Sequence, residues 1–262
     1  MISTLLEVLR RGPKDPVYLP LLSSPLPAVI IILIYLLVVF KIGPDFMECR
    51  KPFNVKSAML KYNIFQITMN AILFALGCYY LVVKNYFDIR CMEISLDDPI
   101  KYVDRVLTYV YFLNKVLDLC DTVFFVLRKS YNQVTVLHVY HHALMVIAVP
   151  TTYYLYGSSG SYALMGYINS LVHVVMYSYY FAAALYPSVR NRLWLKKSIT
   201  TMQIVQFVIC LLHASLVWSL NKSCSIPGIM HFAEIAVAIS MIAMFGNFYY
   251  QTYIRVKSKK TN

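Results

Sequence analysis

The chain has 262 residues, of which 59% are hydrophobic and 14% are charged, and its formal net charge is +12. This composition excludes a soluble domain, because a chain of this length cannot bury so much apolar surface in one core. The basic residues fall in short loops between apolar runs, so they indicate membrane topology rather than nucleic-acid binding. The six cysteines lack the spacing of metal ligands. A polytopic, all-α membrane protein is the predicted class.

Seven apolar segments follow one another, each near the roughly 20 residues that a helix needs to cross a bilayer. They cover residues 26–42, 59–83, 104–127, 133–155, 162–186, 199–220 and 228–252. The stretch from Lys41 to Pro44 reads as the end of the first span, and no signal-peptide cleavage site follows that span. The pattern contains no repeat and no second domain, so residues 1–262 are expected to form one domain of seven transmembrane helices.

Lysine and arginine are distributed unevenly between the loops, which predicts the orientation of the chain. The loops after the first, third and fifth segments and the C-terminal tail carry more basic residues than the opposite side. The positive-inside rule assigns the richer side to the cytosol. Residues 1–25 are therefore expected in the lumen, and the basic tail of residues 255–262 in the cytosol.

Short signals near the segment ends agree with this orientation. Lys259 and Lys260 resemble the dilysine retrieval signal of endoplasmic reticulum membrane proteins, which is read from the cytosol, so we expect that membrane to hold the protein. Asn221 begins an N-glycosylation sequon on the predicted lumenal side. Cys91 and Cys224 are the cysteines that lie outside the segments on that side, and an oxidising lumen permits a disulfide between them.

The third segment contains charged residues, in the sequence KVLDLCDT. Lys115, Asp118 and Thr122 share one helix face at spacing i, i+3, i+7, with Asp121 beside them. A self-neutralising ion pair that holds helices together is one interpretation. The second carboxylate would still need another partner, such as a histidine.

The fourth segment begins with His138, His141 and His142 in an otherwise apolar run. The spacing i, i+3, i+4 places the three imidazoles on one helix face within one turn. An imidazole in a membrane helix faces a protein interior or a wet cavity, which makes a functional cluster the preferred interpretation.

Polar side chains recur on the fifth and sixth segments. Asn169, His173, Met176, Tyr177 and Tyr180 form one helical stripe on the fifth. The sixth carries Thr200, Gln203 and Gln206, whose amides could also serve only to bridge helices. The groups nearer the lumenal ends are interpreted as structural: His213, His231 and Glu234.

In the predicted topology, the polar side chains of the third to sixth segments lie at similar depths in the membrane. At about 1.5 Å per residue, the polar groups of four segments lie roughly 6–20 Å below the cytosolic surface. We therefore expect a buried chamber that opens to the cytosol, with an apolar tunnel for a fatty acyl chain beneath it.

Two chemistries fit a buried histidine cluster. His-x-x-His-His is a fragment of the di-iron pattern of membrane desaturases and hydroxylases, which takes more histidines than the six in this chain. A di-iron site is therefore not expected, whereas a mononuclear site stays open. Acyl transfer is the other chemistry, because a neutral imidazole is a nucleophile and a general base. A non-catalytic seven-span protein is a third interpretation, and it would not need the polar layer.

Four motifs in order resemble those of the very-long-chain fatty acid elongases. They are KVLDLCDT (115–122), HVYHH (138–142), NSLVHVVMYSYY (169–180) and TTMQIVQ (200–206), and the resemblance covers all seven segments. It implies the condensing enzyme that joins an acyl-CoA to malonyl-CoA and gives a 3-oxoacyl-CoA, CO2 and CoA. One position departs from the family pattern, which usually has Glu where Asp118 stands, so the carboxylate of Asp118 reaches one methylene less far toward a partner.

The resemblance and the chemistry together suggest roles for the residues. His141 is expected to attack the acyl thioester, and Asn169 and His173 to stabilise an oxyanion or enolate. His138 and His142 would orient groups and exchange protons, held by Asp121.

Other residues and partners complete this hypothesis. The expected supporting residues are Lys115, Asp118, Tyr177, Gln203 and Gln206. The expected contacts for CoA phosphates are Arg128, Lys129, Arg190, Arg192, Lys196 and Lys197. No metal, cofactor or nucleic acid is expected. The predicted partners are the two CoA substrates, the bilayer, and the reductases and dehydratase of the elongation cycle, and a homo-oligomer stays open.

Overall fold

The computed structural model describes residues 13–84, 90–91, 94–158, 161–220 and 228–255. Every regular element within these ranges is helical, and they contain no strand. The α-helices are α1 Pro25–Leu37, α2 Gly43–Met47, α3 Lys56–Cys78, α4 Lys101–Asp118, α5 Cys120–Leu127, α6 Val136–Tyr156, α7 Ser161–Leu185, α8 Pro187–Arg190, α9 Leu193–Leu220 and α10 Gly228–Tyr249. Three π-helical segments, Val38–Ile42, Tyr79–Val83 and Tyr250–Arg255, and the 3-10 turn Tyr131–Gln133 complete the set.

Five of the described helical runs are long and apolar enough to cross a membrane: Pro25–Met47, Lys56–Val83, Tyr162–Leu185, Leu193–Leu220 and Gly228–Arg255. Their outer faces expose large apolar side chains, with Leu26 63% and Leu33 61% exposed on α1. Faces of this kind are stable in lipid and not in water. The protein is therefore a multi-pass membrane protein.

Two of the seven predicted spans, α4–α5 and α6, are not among these five runs. The charged residues of α4 and the histidines of α6 lower the apolar character of both helices. These polar residues are the ones that the sequence marks as functional. Seven spans and the orientation of the termini stay predictions.

The described residues group into two compact units, each built from two separate stretches of chain. Unit 1 comprises Met1–Val55 and Ile94–Ser159, and therefore contains α1, α2, α4, α5 and α6. Unit 2 comprises Lys56–Glu93 and Gly160–Asn262, and therefore contains α3 and α7 to α10. The prediction of one seven-helix domain remains a prediction.

The first helical run does not end between Lys41 and Pro44, as the sequence suggested, but continues to Met47. A proline inside a helix removes one backbone N–H and crowds the preceding turn. The π-helical segment immediately before Pro44 changes the bonding there, and the Gly43 N–H donates to the Val38 carbonyl. Pro44 then occupies the first turn of α2, where a missing N–H is tolerated.

The third predicted segment is divided at Leu119 into α4 and α5. Around this residue the backbone makes tighter bonds, from the Leu119 N–H to Val116 O and from the Thr122 N–H to Leu119 O, both 3.2 Å. Such i to i+3 bonds belong to a 3-10 turn. The sequence contains neither Pro nor Gly at this position and gives no sign of the break.

The core of unit 1 forms where α1 packs against α6. Its buried side chains include Ile32 and Tyr35 from α1, Val39 from the π-helical segment that follows α1, and Val139 and Val146 from α6. Thr135 caps the start of α6, because its hydroxyl accepts a hydrogen bond from the His138 N–H at 3.2 Å. This cap fixes where the helix that carries the three histidines begins.

Charged residues at the start of α4 are paired, and one of these pairs holds the N-terminal stretch of unit 1 against this helix. Arg105 Nε contacts both carboxylate oxygens of Asp15 at 2.9 and 3.0 Å. Lys101 Nζ lies 3.1 Å from Asp104 Oδ2 and 2.6 Å from the Ser158 carbonyl. The buried charges of this end are therefore paired within the unit.

Unit 2 is built around an extensive contact between α3 and α7. Gly77 of α3 lies against the ring of Tyr167 near the start of α7, and Tyr62 lies against Tyr177 further along it. The two helices are therefore antiparallel, with their register fixed by these two contacts. The other large contact of the unit joins α9 and α10.

Gly77→Ala is expected to destabilise the protein, because a Cβ at this position would overlap the Tyr167 ring. Overpacking of this kind costs about 1–3 kcal/mol. Gly246→Ala is the matched control, since no atom lies within 4 Å of the position of its Cβ. Thermal unfolding of the purified protein in detergent should show a lower midpoint for the first variant alone. Equal midpoints would contradict the close contact between α3 and α7.

Candidate functional site

A buried ion pair closes the last turn of α4. Lys115 Nζ lies 2.7 Å from Asp118 Oδ2, and both residues are buried. The ammonium group also lies 5.1 Å from the centroid of the Tyr111 ring. Asp118 therefore has a partner within its own helix, although its side chain is one methylene shorter than the usual glutamate. The pair leaves little net charge in an apolar region.

A hydrogen-bonded chain connects three helices of unit 1. The Tyr35 hydroxyl of α1 lies 2.8 Å from Thr122 Oγ1 of α5, and this oxygen lies 2.8 Å from His138 Nε2 of α6. Thr122 is fully buried, so its hydroxyl is shielded from water. The ring of His138 is thereby fixed in position. Sequence reasoning placed Thr122 on the polar face but did not include Tyr35.

The three histidines lie together on α6, as their spacing predicted. The ring centroids of His138 and His142 are 4.3 Å apart, and those of His141 and His142 are 5.5 Å apart. His142 is buried, whereas His138 and His141 are half-buried. Among the described residues, no three His, Cys, Asp or Glu side chains are arranged to hold a metal ion.

Asp121 lies in the first turn of α5, where a carboxylate is favoured by the helix dipole. It is close enough to the Tyr35 hydroxyl to interact with it electrostatically. The hydrogen-bond partner found for His138 is the Thr122 hydroxyl. That Asp121 holds the histidines therefore stays a prediction.

The predicted stripe of α7 lies in unit 2, with Asn169, His173 and Tyr177 all buried. The rings of His173 and Tyr177 meet edge to face, with centroids 5.6 Å apart. From α9, Gln203 Nε2 lies 3.7 Å from Met176 Sδ, and Gln206 is buried on the same helix. Gln203 of α9 thus contacts the helix that carries His173.

Sequence reasoning missed a row of polar side chains on α3. Asn63, Gln66 and Asn70 are all at least 97% buried, although the helix is otherwise apolar. The signal was present in the sequence, because three amides recur at spacing i, i+3, i+7 within one predicted span. Amides buried in membrane helices are costly unless another group binds them.

The comparisons with known proteins agree over almost the whole chain. The model of the GNS1/SUR4 family matches residues 20–261. The "Very long chain fatty acid elongase F" of Drosophila melanogaster is 36% identical over 254 residues, which cover 96% of this chain and 98% of that protein. The chain belongs to the very-long-chain fatty acid elongase family.

Other elongases of this family give similar values. The "Very long chain fatty acid elongase 4" of Macaca mulatta is 38% identical over 250 residues, 92% of this chain and 76% of that protein. The "Very long chain fatty acid elongase 7" of Drosophila melanogaster is 35% identical over 242 residues, 92% of this chain and 72% of that protein. The resemblance of the four motifs is thus confirmed at the level of the family.

The predicted CoA contacts of this elongase-family chain fall in both units. In unit 1, Arg128 Nη2 donates to Gln133 Oε1 at 3.1 Å, and Lys129 Nζ donates to the Glu48 carbonyl at 3.2 Å. The predicted contacts of unit 2 are Arg190 and Arg192, both exposed, and Lys196 and Lys197, both half-buried. The role of these cations stays a prediction.

Several predicted signals involve residues outside the described ranges. Cys91 is disulfide-bonded, whereas Cys49, Cys78, Cys120 and Cys210 are free thiols. Cys224, the predicted partner of Cys91, lies outside the described residues, as do Asn221, Lys259 and Lys260. The retrieval signal and the glycosylation site therefore stay predictions.

Thr122→Val is expected to destabilise unit 1, because it removes the hydroxyl that bonds Tyr35 and His138. A buried polar group that loses its partner costs about 1–3 kcal/mol. Thr122→Ser keeps the hydroxyl and should retain most of the stability. Thr151→Val is the matched control, since the Thr151 hydroxyl bonds a carbonyl of its own helix at 2.7 Å. The comparison is made by thermal unfolding, and equal midpoints for the Val and Ser variants of Thr122 would exclude the hydrogen-bonded chain.

Proposed function

We propose that the protein is the condensing enzyme of fatty acid elongation, which joins a long-chain acyl-CoA to malonyl-CoA. Membership of the elongase family supports a role in fatty acid elongation. The observation that supports the condensing step is the clustering of three imidazoles on α6, two of them in ring contact with His142. A neutral imidazole in apolar surroundings is a competent nucleophile for a thioester.

His141 is the proposed nucleophile of the first half-reaction. His138 is bonded to Thr122 through Nε2 and His142 is buried, whereas His141 is a half-buried residue of the same cluster. A nitrogen of His141 attacks the thioester carbonyl, and the C–S bond breaks. The imidazole proton passes to the departing thiolate, so the products are an acyl-imidazole and CoA.

The second half-reaction forms the new carbon–carbon bond. Malonyl-CoA loses CO2, and the electron pair of the broken bond becomes an enolate. The enolate carbon attacks the acyl-imidazole carbonyl and displaces the imidazole nitrogen, which takes up one proton. The product is a 3-oxoacyl-CoA two carbons longer. Asn169 and His173 are proposed to stabilise the enolate or the oxyanion.

The remaining polar residues are proposed to support this chemistry. His138 and His142 orient and exchange protons, and Asp121 supports them electrostatically. The Lys115–Asp118 pair keeps the α4 end nearly neutral, which disfavours water and stray ions. Gln203 and Gln206 of α9 support the stripe of α7.

The proposed topology has seven transmembrane helices around an acyl tunnel in the endoplasmic reticulum membrane, with a lumenal N-terminus and a cytosolic C-terminus. The disulfide at Cys91 supports this orientation, because such bonds persist in oxidising compartments. The reductases and dehydratase that complete a chain-lengthening cycle would be partners. A desaturase or hydroxylase is the less favoured alternative, because the family match is to elongases. A non-catalytic role is disfavoured by the polar groups that α6 and α7 bury.

His141→Ala is expected to abolish condensation, because it removes the proposed nucleophile. Purified protein is incubated with radiolabelled malonyl-CoA and a panel of long acyl-CoAs, and label in the 3-oxoacyl product is counted. His213→Ala of α9, outside the proposed site, should elongate like the unmodified protein. Mass spectrometry of protein given acyl-CoA alone should find the acyl group on His141. An adduct on His142 or His173 would overturn the assignment of the nucleophile.

Arg192→Ala and Lys196→Ala are each expected to raise the KM for malonyl-CoA with little change in kcat. Loss of a charge-assisted contact to a phosphate weakens binding by on the order of tenfold. Arg255→Ala is the matched control, because Arg255 is a basic residue of the same unit that is bonded to Gln251 at 2.9 Å. Equal KM values in all three variants would show that Arg192 and Lys196 do not bind the CoA phosphates and serve only to orient the chain in the membrane.

A further inference from the structure

The polar row of α3 forms a continuous series of hydrogen bonds. Asn70 Nδ2 donates to the Gln66 backbone carbonyl at 2.8 Å and to Gln66 Oε1 at 3.1 Å. Gln66 Nε2 donates to the Tyr62 hydroxyl at 3.2 Å. The Tyr62 hydroxyl lies 3.3 Å from that of Tyr177 on α7. Four side chains thus connect the interior of α3 to the helix that carries His173.

The direction of these bonds follows from elementary chemistry. A backbone carbonyl can only accept, so the Asn70 atom that contacts it must be the amide nitrogen. The second contact of this nitrogen must then be an acceptor, which identifies the Gln66 atom as oxygen. The other end of the Gln66 amide is therefore its NH2 group, and this group donates to Tyr62.

Donation to the phenol oxygen makes Tyr62 a better donor in turn. Hydrogen bonds in a chain polarise one another when they point the same way. Tyr62 is therefore favoured to donate its proton to the Tyr177 oxygen, and Tyr177 to donate its own proton onward. The edge-to-face contact of the two rings, with centroids 5.8 Å apart and planes at 84°, holds the hydroxyls in this arrangement.

The series ends at Tyr177, which belongs to the polar stripe of α7. The antiparallel register of α3 and α7 sets the row of Gln66 and Asn70 alongside the turns of α7 that carry Asn169 and His173. Tyr177 is fully buried, and its ring contacts that of His173. A third buried amide of α3 is that of Asn63, whose Nδ2 has no hydrogen-bond partner among the described residues.

We propose that Tyr177 is a catalytic hydrogen-bond donor to the thioester oxygen of malonyl-CoA, which becomes the negative enolate oxygen when CO2 is lost. Tyr62, Gln66 and Asn70 are positioning residues that polarise and aim this donor. The inference rests on the proposed condensing function and adds to it. The arrangement matches a preorganised donor, which stabilises charge that develops only in the transition state.

Tyr177→Phe, Tyr62→Phe and the double variant test this proposal. Each change removes one hydroxyl and keeps the ring, so packing is conserved. Tyr177→Phe is expected to lower kcat by about 100- to 1,000-fold with little change in the KM for malonyl-CoA. Tyr62→Phe should lower kcat less. Tyr186→Phe, the same change at an exposed tyrosine just after α7 and outside the motif, is the matched control and should elongate normally.

The double variant distinguishes a series from two independent contacts. If Tyr62 acts through Tyr177, the double variant has the kcat of Tyr177→Phe alone. A second measurement separates the half-reactions, since the release of CoA on mixing with acyl-CoA alone does not require malonyl-CoA. This release should be normal in Tyr177→Phe while condensation is slow.

Three outcomes would overturn the inference. They are a normal kcat in Tyr177→Phe, effects of the two single changes that multiply in the double variant, and equal slowing of CoA release and condensation. The unmodified protein is assayed alongside. If it gives no 3-oxoacyl product with any acyl-CoA, the proposed function fails. If it does and one of the three outcomes is found, only the role of Tyr177 fails.

Discussion

Hydrocarbon offers no hydrogen bonds, and this constraint determines how the protein places its polar side chains. A polar group on an apolar helix must find its partner inside the protein. In unit 1 the constraint is met by the Lys115–Asp118 pair and by the bonds that connect Tyr35, Thr122 and His138. In unit 2 it is met by the series from Asn70 to Tyr177. Both sets of contacts fix the side chains that carry the proposed chemistry.

The same constraint explains why much of the proposed site could be predicted from the sequence. A histidine or a lysine in an apolar run is conspicuous, and helical spacing then assigns it to a face. His138, His141 and His142 do lie together, and Lys115 does pair with Asp118. The helices could also be predicted from the sequence, because a long apolar segment in a membrane must satisfy its own backbone hydrogen bonds, which a helix does.

Other features were not readable, for physical reasons that differ. The break at Leu119 depends on i to i+3 backbone hydrogen bonds, and no side chain near this position predicts them. The first helix continues through Pro44 because a π-helical segment comes just before it. Pro44 then lies in the first turn of α2, where a missing N–H is tolerated. Tyr35 and Tyr62 are ordinary tyrosines in a chain with 23 of them, and only their partners on other helices distinguish them. Hydrogen bonds between distant segments cannot be read from periodicity.

The pairing of α3 with α7 has a consequence for how the protein is made. Three helices of unit 1, α4, α5 and α6, separate these two helices of unit 2 in the chain. During synthesis α3 therefore leaves the ribosome long before α7, which carries the hydrogen-bond partner of Tyr62, has been translated. Until α7 arrives, the amides of α3 must rely on one another, on water or on a chaperone. The bonds between Asn70 and Gln66 lie within one helix and can form at once, so they protect the newly inserted segment while its partner is still being translated.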